Sequence, residues 1–238
     1  MGQNVSEMEW RGRTGPFTIG VNPGVFSPTH TSRTLADALE IGSGDTVIDV
    51  GCGSGVLSFV AARLGARRVV GCDLSAEAVQ AATANADRLG LADRVEFRTG
   101  DLLEPVRDVP ATVLIGDVSG IPDEIAEVAG WFPDGRAGGP TGAELPRKMI
   151  ESIGDTLLPG GRLYLPTGTI QDEKSILEAA HEVFGDNMEP VIQQEFPLPD
   201  IVGRSLAVAR MMKEGLLNLH RRGSRLLWRL QIWRCIRS

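Results

Sequence analysis

Glycines and aspartates that directly follow short apolar runs are the residues of this chain best suited to chemistry. The apolar runs at residues 46–50, 68–72, 95–99 and 112–116 are typical of strands in a parallel sheet. Because the carboxyl ends of parallel strands meet at one edge of an open sheet, we expect the residues after them to line a single ligand crevice. These residues are Gly51, Gly53, Gly55, Asp73, Gly100, Asp101 and Asp117.

Residues 45–65, which contain Gly51, Gly53 and Gly55, are predicted to form a strand, a tight turn and the start of a helix. Glycine is needed where the backbone adopts a positive φ or where a ligand approaches the main chain closely. An ordinary turn would also explain this spacing taken alone. Asp73, about twenty residues further on, favours a ligand site because one carboxylate can accept hydrogen bonds from both hydroxyls of a ribose. Individually, Asp73, Asp101 and Asp117 could equally be helix caps or solvated loop acids.

The segment Val47-Ile48-Asp49-Val50-Gly51-Cys52-Gly53-Ser54-Gly55 resembles the first motif of class I S-adenosylmethionine-dependent methyltransferases. Asp73 and Gly100-Asp101 resemble the acidic and adenine-side motifs of that family, and the resemblance covers residues 24–212. The glycine spacing differs from the Gly-x-Gly-x-x-Gly of nicotinamide dehydrogenases. The resemblance implies S-adenosyl-L-methionine as cofactor and no metal. It assigns cofactor binding to Asp49, Gly51, Cys52, Gly53, Gly55, Asp73, Leu74, Gly100, Asp101, Leu102, Asp117 and Thr29.

The layout is similar to that of the methyltransferases that modify glutamine in peptide release factors. In that branch, a segment equivalent to residues 28–31 lies near the methionine end of the cofactor, and the fourth strand ends in Asn-Pro-Pro-Tyr. Here the fourth strand is followed by Asp117-Val118-Ser119-Gly120-Ile121-Pro122. An aspartate adds negative charge and removes an amide donor, which suits an amine, a phenol or an acidic carbon.

Asp117 is therefore the predicted catalytic residue, as a base or as a group that orients the substrate. It could instead only contact the cofactor or cap a turn. His30 is a second candidate base, although a histidine at a helix start is more often a cap or a surface residue.

The predicted fold is α/β, a Rossmann-like seven-stranded sheet with helices on both faces. Residues 1–27 are predicted to form an N-terminal arm or lid carrying Trp10, Phe17 and Phe26, or else a loosely ordered terminus. Residues 28–212 form the predicted methyltransferase domain. Within it, residues 191–196 and 205–211 are read as antiparallel strands, and Trp131 and Phe132 as aromatic groups that either wall a substrate or pack within a loop.

Residues 213–238 form a predicted basic extension, since they carry seven Lys or Arg residues and one Glu. Apolar and polar residues alternate along this segment. That pattern predicts an appended β-hairpin that packs on the domain or adds to a partner's sheet edge in a homodimer. A basic membrane anchor and an RNA-contacting tail are the alternatives.

Composition limits the remaining function classes. The net charge of -7 and a pI near 5.1 argue against non-specific nucleic-acid binding. No secretion signal or membrane-spanning run is evident, and three cysteines without metal-ligand spacing are expected as buried thiols in a reducing cytoplasm.

We therefore expect an enzyme that transfers a methyl group in line to N, O or C of a small molecule, a specialised metabolite made by biosynthesis. The alternatives are a methyltransferase acting on protein or RNA, and a protein that cyclises or only binds the cofactor.

Overall fold

A computed structural model describes residues 5–25, 27–131 and 137–238 of the chain. Its strands are β1 (Ser6–Trp10), β2 (Phe17–Val21), β3 (Thr46–Val50), β4 (Arg68–Asp73), β5 (Val95–Thr99), β6 (Ala111–Gly116), β7 (Leu157–Gly168), β8 (Met188–Pro197), β9 (His220–Arg222) and β10 (Arg225–Ile236). Its helices are α1 (His30–Ala38), α2 (Val56–Leu64), α3 (Ala76–Arg88), α4 (Asp123–Ala129), α5 (Glu144–Glu151), α6 (Glu173–Phe184), α7 (Asp200–Gly203) and α8 (Leu206–Lys213).

The central sheet has the strand order β5-β4-β3-β6-β7-β10-β8, and β9 pairs with the start of β10. The first five strands of this order are parallel. The central strand β3 is the short run Thr-Val-Ile-Asp-Val, which is buried on both faces. One face packs on α1, α2 and α3, and the other packs on α5 and α6, through two separate hydrophobic clusters. The predicted Rossmann-like sheet with helices on both faces is therefore confirmed.

The strand predicted at residues 205–211 was wrong, because this segment is the helix α8. Ser205 caps its first turn by accepting a hydrogen bond from the Val208 N–H (3.2 Å). Ala207, Val208 and Met211 are buried at helical spacing, whereas Leu206 is exposed. A short apolar run fits a strand or a buried helical stretch equally well, so periodicity alone could not decide between them.

The C-terminal hairpin is present as β9 and β10, but it is not peripheral to the sheet. β10 lies between β7 and β8 and is antiparallel to both, so it joins β8 to the rest of the sheet. Within the described residues both edges of β10 are hydrogen-bonded, so β10 itself offers no free edge for the strand of a partner. A homodimer through residues 213–238 stays a prediction. The domain boundaries at residues 27 and 212 stay a prediction, although residues 225–236 belong to the central sheet.

The N-terminal hairpin of β1 and β2 is packed into the core. Trp10 and Phe17 are buried, and the Phe17 ring meets Phe59 of α2 edge to face at 6.3 Å. The Arg13 guanidinium donates to the carbonyl groups of Asp37 (2.8 Å) and Leu39 (2.6 Å) at the end of α1. The two aromatic residues therefore fill the core rather than cover a crevice, and Phe26 lies outside the described residues.

A third hydrophobic cluster joins α4, α7 and α8 above the carboxyl ends of the parallel strands. Ile125 of α4 packs with Val202 of α7 and Val208 of α8. The Asn218 N–H donates to the Thr169 carbonyl just after β7 (2.9 Å), which ties the segment to that edge of the sheet. We call α4, α7 and α8 the cap. No helix among the described residues is long and apolar enough to cross a membrane.

Candidate active site

The glycine-rich loop between β3 and α2 is held by hydrogen bonds to the end of β4. The Gly51 and Cys52 N–H groups both donate to the Cys72 carbonyl (2.8 and 3.0 Å), and the Gly55 N–H donates to the Cys52 carbonyl (2.8 Å). Gly51, Gly53 and Gly55 all have positive φ, which explains the requirement for glycine. The loop is therefore preformed, with most of its amide groups already paired.

Asp73 braces this loop from the end of β4. Its Oδ2 accepts from the Gly53 N–H (3.0 Å), and its Oδ1 accepts from the Ser75 N–H at the start of α3 (2.9 Å). A carboxylate offers about four acceptor positions, so both oxygens retain a lone pair for a ligand hydroxyl. Leu74, the next residue, is 55% exposed at the same strand end, which is unusual for a large apolar side chain.

The end of β5 contributes Gly100, Asp101 and Leu102. The Gly100 N–H donates to the Asp73 carbonyl (3.0 Å), so the two strand ends are joined. Asp101 Oδ2 accepts from Lys148 Nζ of α5 (2.5 Å), which occupies part of its acceptor capacity. Leu102 has φ of +49°, a strained conformation for a residue with a side chain.

Asp49 is a fully buried carboxyl beneath the glycine loop. Its Oδ2 accepts from Ser58 Oγ of α2 (2.6 Å), whereas Oδ1 has no partner among the described residues. Burial raises the pKa of Asp49 to about 7, the hydrogen bond from Ser58 opposes this, and the nearby carboxylates of Asp117 and Asp73 add to the rise. Cys52 is also buried, and burial holds its thiol pKa well above the usual range, so this thiol is inert.

Asp117 lies at the end of β6, half-buried and next to the glycine loop. Its Oδ2 accepts from Ser32 Oγ of α1 (2.9 Å), and burial raises its pKa to about 6 despite that hydrogen bond. A side chain at Gly51 would come within 3.1 Å of the Asp117 carbonyl, so the ends of β3 and β6 are in close contact.

Thr29 lies at the start of α1, on the same side as Asp117. Thr29 Oγ1 accepts from the Thr31 N–H (3.2 Å), and its N–H donates to Ser32 Oγ (3.4 Å), which forms a capping box. His30 is exposed and stacks on Phe196, with ring centroids 4.9 Å apart. The structure therefore gives His30 a packing role and brings Ser32 to the catalytic candidate.

The segment after Asp117 forms a tightly packed turn below the cap. A side chain at Gly120 would come within 2.2 Å of the Gln171 Oε1, and one at Gly138 would come within 2.8 Å of the Ser119 carbonyl. Ser119 Oγ is buried with no hydrogen-bond partner in the described part of the chain. Residues 132–136, which include the predicted aromatic Phe132, lie outside the described residues.

Residues 24–128 match the family model described as ribosomal protein L11 methyltransferase (PrmA). The ribosomal protein L11 methyltransferase of Aeromonas hydrophila is 38% identical over 117 residues, which are 46% of this chain and 39% of that protein. The enzyme of the same name from Pelotomaculum thermopropionicum is 34% identical over 182 residues, 74% of this chain and 51% of that protein. The chain thus spans about half the length of the curated relatives it matches, or less.

Solved structures share the fold at low sequence identity. The ribosomal protein L11 methylase of Lactobacillus delbrueckii has a TM-score of 0.56 at 18% identity, covering 92% of this chain and 84% of that one. Methanocaldococcus jannaschii Trm5, solved in complex with adenosine, has a TM-score of 0.63 at 13% identity, covering 100% of this chain and 57% of that one. The chain belongs to the class I S-adenosylmethionine-dependent methyltransferases.

This finding confirms the family and the cofactor inferred from the sequence, and it corrects the substrate. The prediction of a small-molecule substrate was wrong, because the relatives are named for the methylation of a protein. The expectation rested on the acidic composition of the chain and on the absence of Asn-Pro-Pro-Tyr after β6. That absence only removes one kind of amide clamp, and it does not indicate the size of the substrate.

The methyltransferase site has the polar groups that S-adenosylmethionine requires. Asp49, Asp73 and Asp117 bring three carboxyl groups to one strand edge, which suits a ligand that carries a sulfonium and an ammonium group. The free acceptor positions of Asp73 would hold hydroxyl groups of the cofactor, and Leu74 and Leu102 would flank its base, whereas Asp49 is fully buried beneath the glycine loop. The individual binding roles of these residues stay a prediction.

Sequence reasoning missed Ser32 and Lys148, which contact the predicted residues Asp117 and Asp101, and Asn85, which contacts Ser54 of the glycine loop. Ser32 and Asp117 are 85 positions apart, so no local spacing connects them. Asn85 did leave a signal, because it is a polar residue on the buried, alanine-rich face of α3. A buried polar residue of this kind implies a hydrogen-bond partner on another element.

Proposed function

We propose that this methyltransferase transfers the methyl group of S-adenosylmethionine to a nitrogen of a protein substrate, with ribosomal protein L11 as the first candidate. The observation that carries the proposal is the half-buried carboxyl of Asp117 at the end of β6, beside the glycine loop. A carboxylate there complements an amine by charge and by hydrogen bonding. The names of the relatives support a protein as the molecule that carries this amine.

Asp117 is suited to accept a proton from a protonated amine before the methyl group is transferred. A base works best when its pKa is near the working pH, and burial raises the pKa of Asp117 to about 6, nearer neutrality than that of an exposed aspartate. Ser32 occupies Oδ2 and thereby fixes the orientation of the carboxyl group. Oδ1 then faces the substrate in this proposal.

The other residues of the site contribute by alignment. The bound cofactor supplies an activated methyl group on sulfur, so the protein has mainly to hold the nucleophile in line with it. Such positioning contributes up to about 7–11 kcal/mol of a reaction barrier. The prebuilt glycine loop, braced by Asp73, would keep the cofactor fixed, and the cap over the adjacent turn would exclude water from the amine.

The test is incubation of the full chain with S-adenosylmethionine and ribosomal protein L11 from the same organism. Intact-mass and peptide mass spectrometry should show added methyl groups on amine positions of L11. A second reaction without L11 controls for cyclisation of the cofactor, which would release a product from S-adenosylmethionine alone. Unmodified L11 together with normal cofactor binding would overturn the proposed substrate while leaving the family intact.

A cytoplasmic location is proposed from the cysteines. Cys52, Cys72 and Cys235 are all free and buried, which is the state expected in a reducing compartment.

A further inference from the structure

Asn85 connects the N-terminal hairpin to the glycine loop from a buried position on α3. Its Oδ1 accepts from the Gly20 N–H of β2 (2.7 Å), and its Nδ2 donates to the Gly20 carbonyl (2.9 Å) and the Ser54 carbonyl (3.1 Å). The side chain is 2% exposed. The two hydrogens of the side-chain amide are therefore both used, one on the hairpin and one on the glycine loop.

The Ser54 carbonyl belongs to a peptide group in the middle of the glycine loop between β3 and α2. The N–H of the same peptide group, on Gly55, donates to the Cys52 carbonyl (2.8 Å), so the peptide plane is held at both ends. Gly55 has φ of +90°, and a side chain there would come within 2.7 Å of the Phe59 ring. The orientation of this peptide group sets the course of the loop from Gly53 into α2.

The hairpin reaches the same loop by a second route. Phe17 of β2 contacts Phe59 of α2, and Phe59 contacts Phe97 of β5 edge to face at 5.9 Å. Gly20 lies close to both neighbours, since a side chain there would come within 2.9 Å of Val5, just before β1, and 3.6 Å from Asn85 Oδ1 of α3. The N-terminal hairpin and the glycine loop thus form one packed unit, and Asn85 makes the polar contacts that join them.

We infer that Asn85 is a positioning residue for the cofactor, which it serves by coupling the N-terminal hairpin to the Gly53–Gly55 turn. This role goes beyond the proposed function, because it concerns the binding of cofactor and product whatever the methyl acceptor is. Its test therefore uses S-adenosylhomocysteine as the ligand and needs no substrate protein.

The decisive variant is Asn85→Asp. An ionised carboxylate can still accept from the Gly20 N–H, but it has no hydrogen to donate to the Ser54 or Gly20 carbonyl. Calorimetry at pH 8 should show affinity for S-adenosylhomocysteine reduced by roughly tenfold or more, the scale of an unmatched buried polar group. Burial favours the protonated carboxyl, which restores one donor, so part of the affinity should return at pH 6.

Asp49 and Asp117 beside the glycine loop have pKa values of about 7 and about 6 and titrate in every variant, so the effect of Asn85→Asp is the difference from the unchanged protein at each pH. The charged groups nearer the hairpin are paired at the surface. Glu7 of β1 pairs with Arg88 of α3 at the surface (2.9 Å), and Arg63 of α2 donates to the Thr14 carbonyl (3.2 Å). The matched control is Ala84→Asp, which places the same carboxylate at an exposed position of the same helix. Its affinity and its pH dependence should equal those of the unchanged protein.

Two results would overturn the inference. One is a folded Asn85→Asp protein with unchanged affinity at pH 8, and the other is a loss of affinity of equal size at both pH values. If that variant does not fold, hydrogen exchange on the unchanged protein gives the answer. The Gly20 and Gly55 amides should gain protection together when S-adenosylhomocysteine binds, and an unaffected Gly20 amide would contradict the coupling.

Discussion

The two halves of the crevice are built in different ways. In the cofactor half, the ends of β3, β4 and β5 are joined by backbone hydrogen bonds, and Asp73 holds the Gly53 amide at 3.0 Å. In the substrate half, the end of β6 meets side chains from α1 and a separate cap, and Ser119 Oγ is left without a partner among the described residues. One half is thus prepared for a fixed ligand, whereas the other retains polar groups for an incoming one.

The largest expected effect is on turnover, in the substrate half. Asp117→Asn should lower kcat on the protein substrate by about 100-fold, the lower range for losing a general base, because an amide cannot accept the amine proton. Affinity for S-adenosylhomocysteine, measured by calorimetry, should fall by a much smaller factor than kcat. Asp186→Asn, at a fully exposed carboxyl, is the control. An equal loss of cofactor affinity would mean that the two halves are not separate in function.

The next largest effect is expected on cofactor affinity, in the cofactor half. Asp73→Ala removes the acceptor for the Gly53 and Ser75 amides together with the proposed ribose contact. The free energy of binding S-adenosylmethionine should weaken by about 1–3 kcal/mol, the scale of charge-assisted hydrogen bonds. The exposed Asp93→Ala serves as the control in the same titration. Unchanged affinity would remove Asp73 from the site.

A third prediction concerns the pH dependence of stability. The pKa of Asp49 is raised to about 7 in the folded protein, so the folded state binds its proton more tightly than the unfolded state does. The resulting stabilisation is complete below pH of about 4 and is lost as pH rises through about 7. Asp49→Asn removes this titration and should flatten the decline in unfolding free energy between pH 5 and pH 8. Urea unfolding of the unchanged protein and of Asp49→Asn at pH 5 and pH 8 measures this difference. An equal decline in unfolding free energy in both proteins would contradict a raised pKa for Asp49.

The smallest effect is expected at an exposed ion pair of the cofactor half. Lys148 of α5 donates to Asp101 at the end of β5, and both side chains are at least one-third exposed. Exposed ion pairs are weak because water and salt screen them, so Lys148→Met should change the dissociation constant of S-adenosylmethionine by less than about fivefold. A larger change in calorimetry would show that this ion pair orients Asp101 towards the base of the cofactor.

The sequence was informative where the site is local in the chain. Gly51, Gly53, Gly55 and Asp73 follow consecutive strands, so parallel-sheet geometry alone brings them to one edge. Contacts such as those of Ser32 with Asp117 and of Asn85 with Gly20 join residues that are 85 and 65 positions apart. No local periodicity encodes such a pairing, because it depends on how the elements pack.

The place of the last strand escaped the sequence for a related reason. Its alternating pattern predicted a strand and a hairpin, and both are present. Periodicity reports which face of a strand is buried but not which strands lie beside it. The insertion of β10 between β7 and β8 therefore became visible only in the assembled sheet.

That insertion also governs how the molecule can assemble during translation. Among the described residues, β8 is hydrogen-bonded in the sheet only through β10, and β10 is synthesised after β8 and after the helices α7 and α8. While the chain is being elongated, the parallel strands can pair in the order in which they emerge from the ribosome. β8 must wait for residues 225–236, so we expect the segment from β8 to α8 to be the one exposed to chaperones and proteases during synthesis.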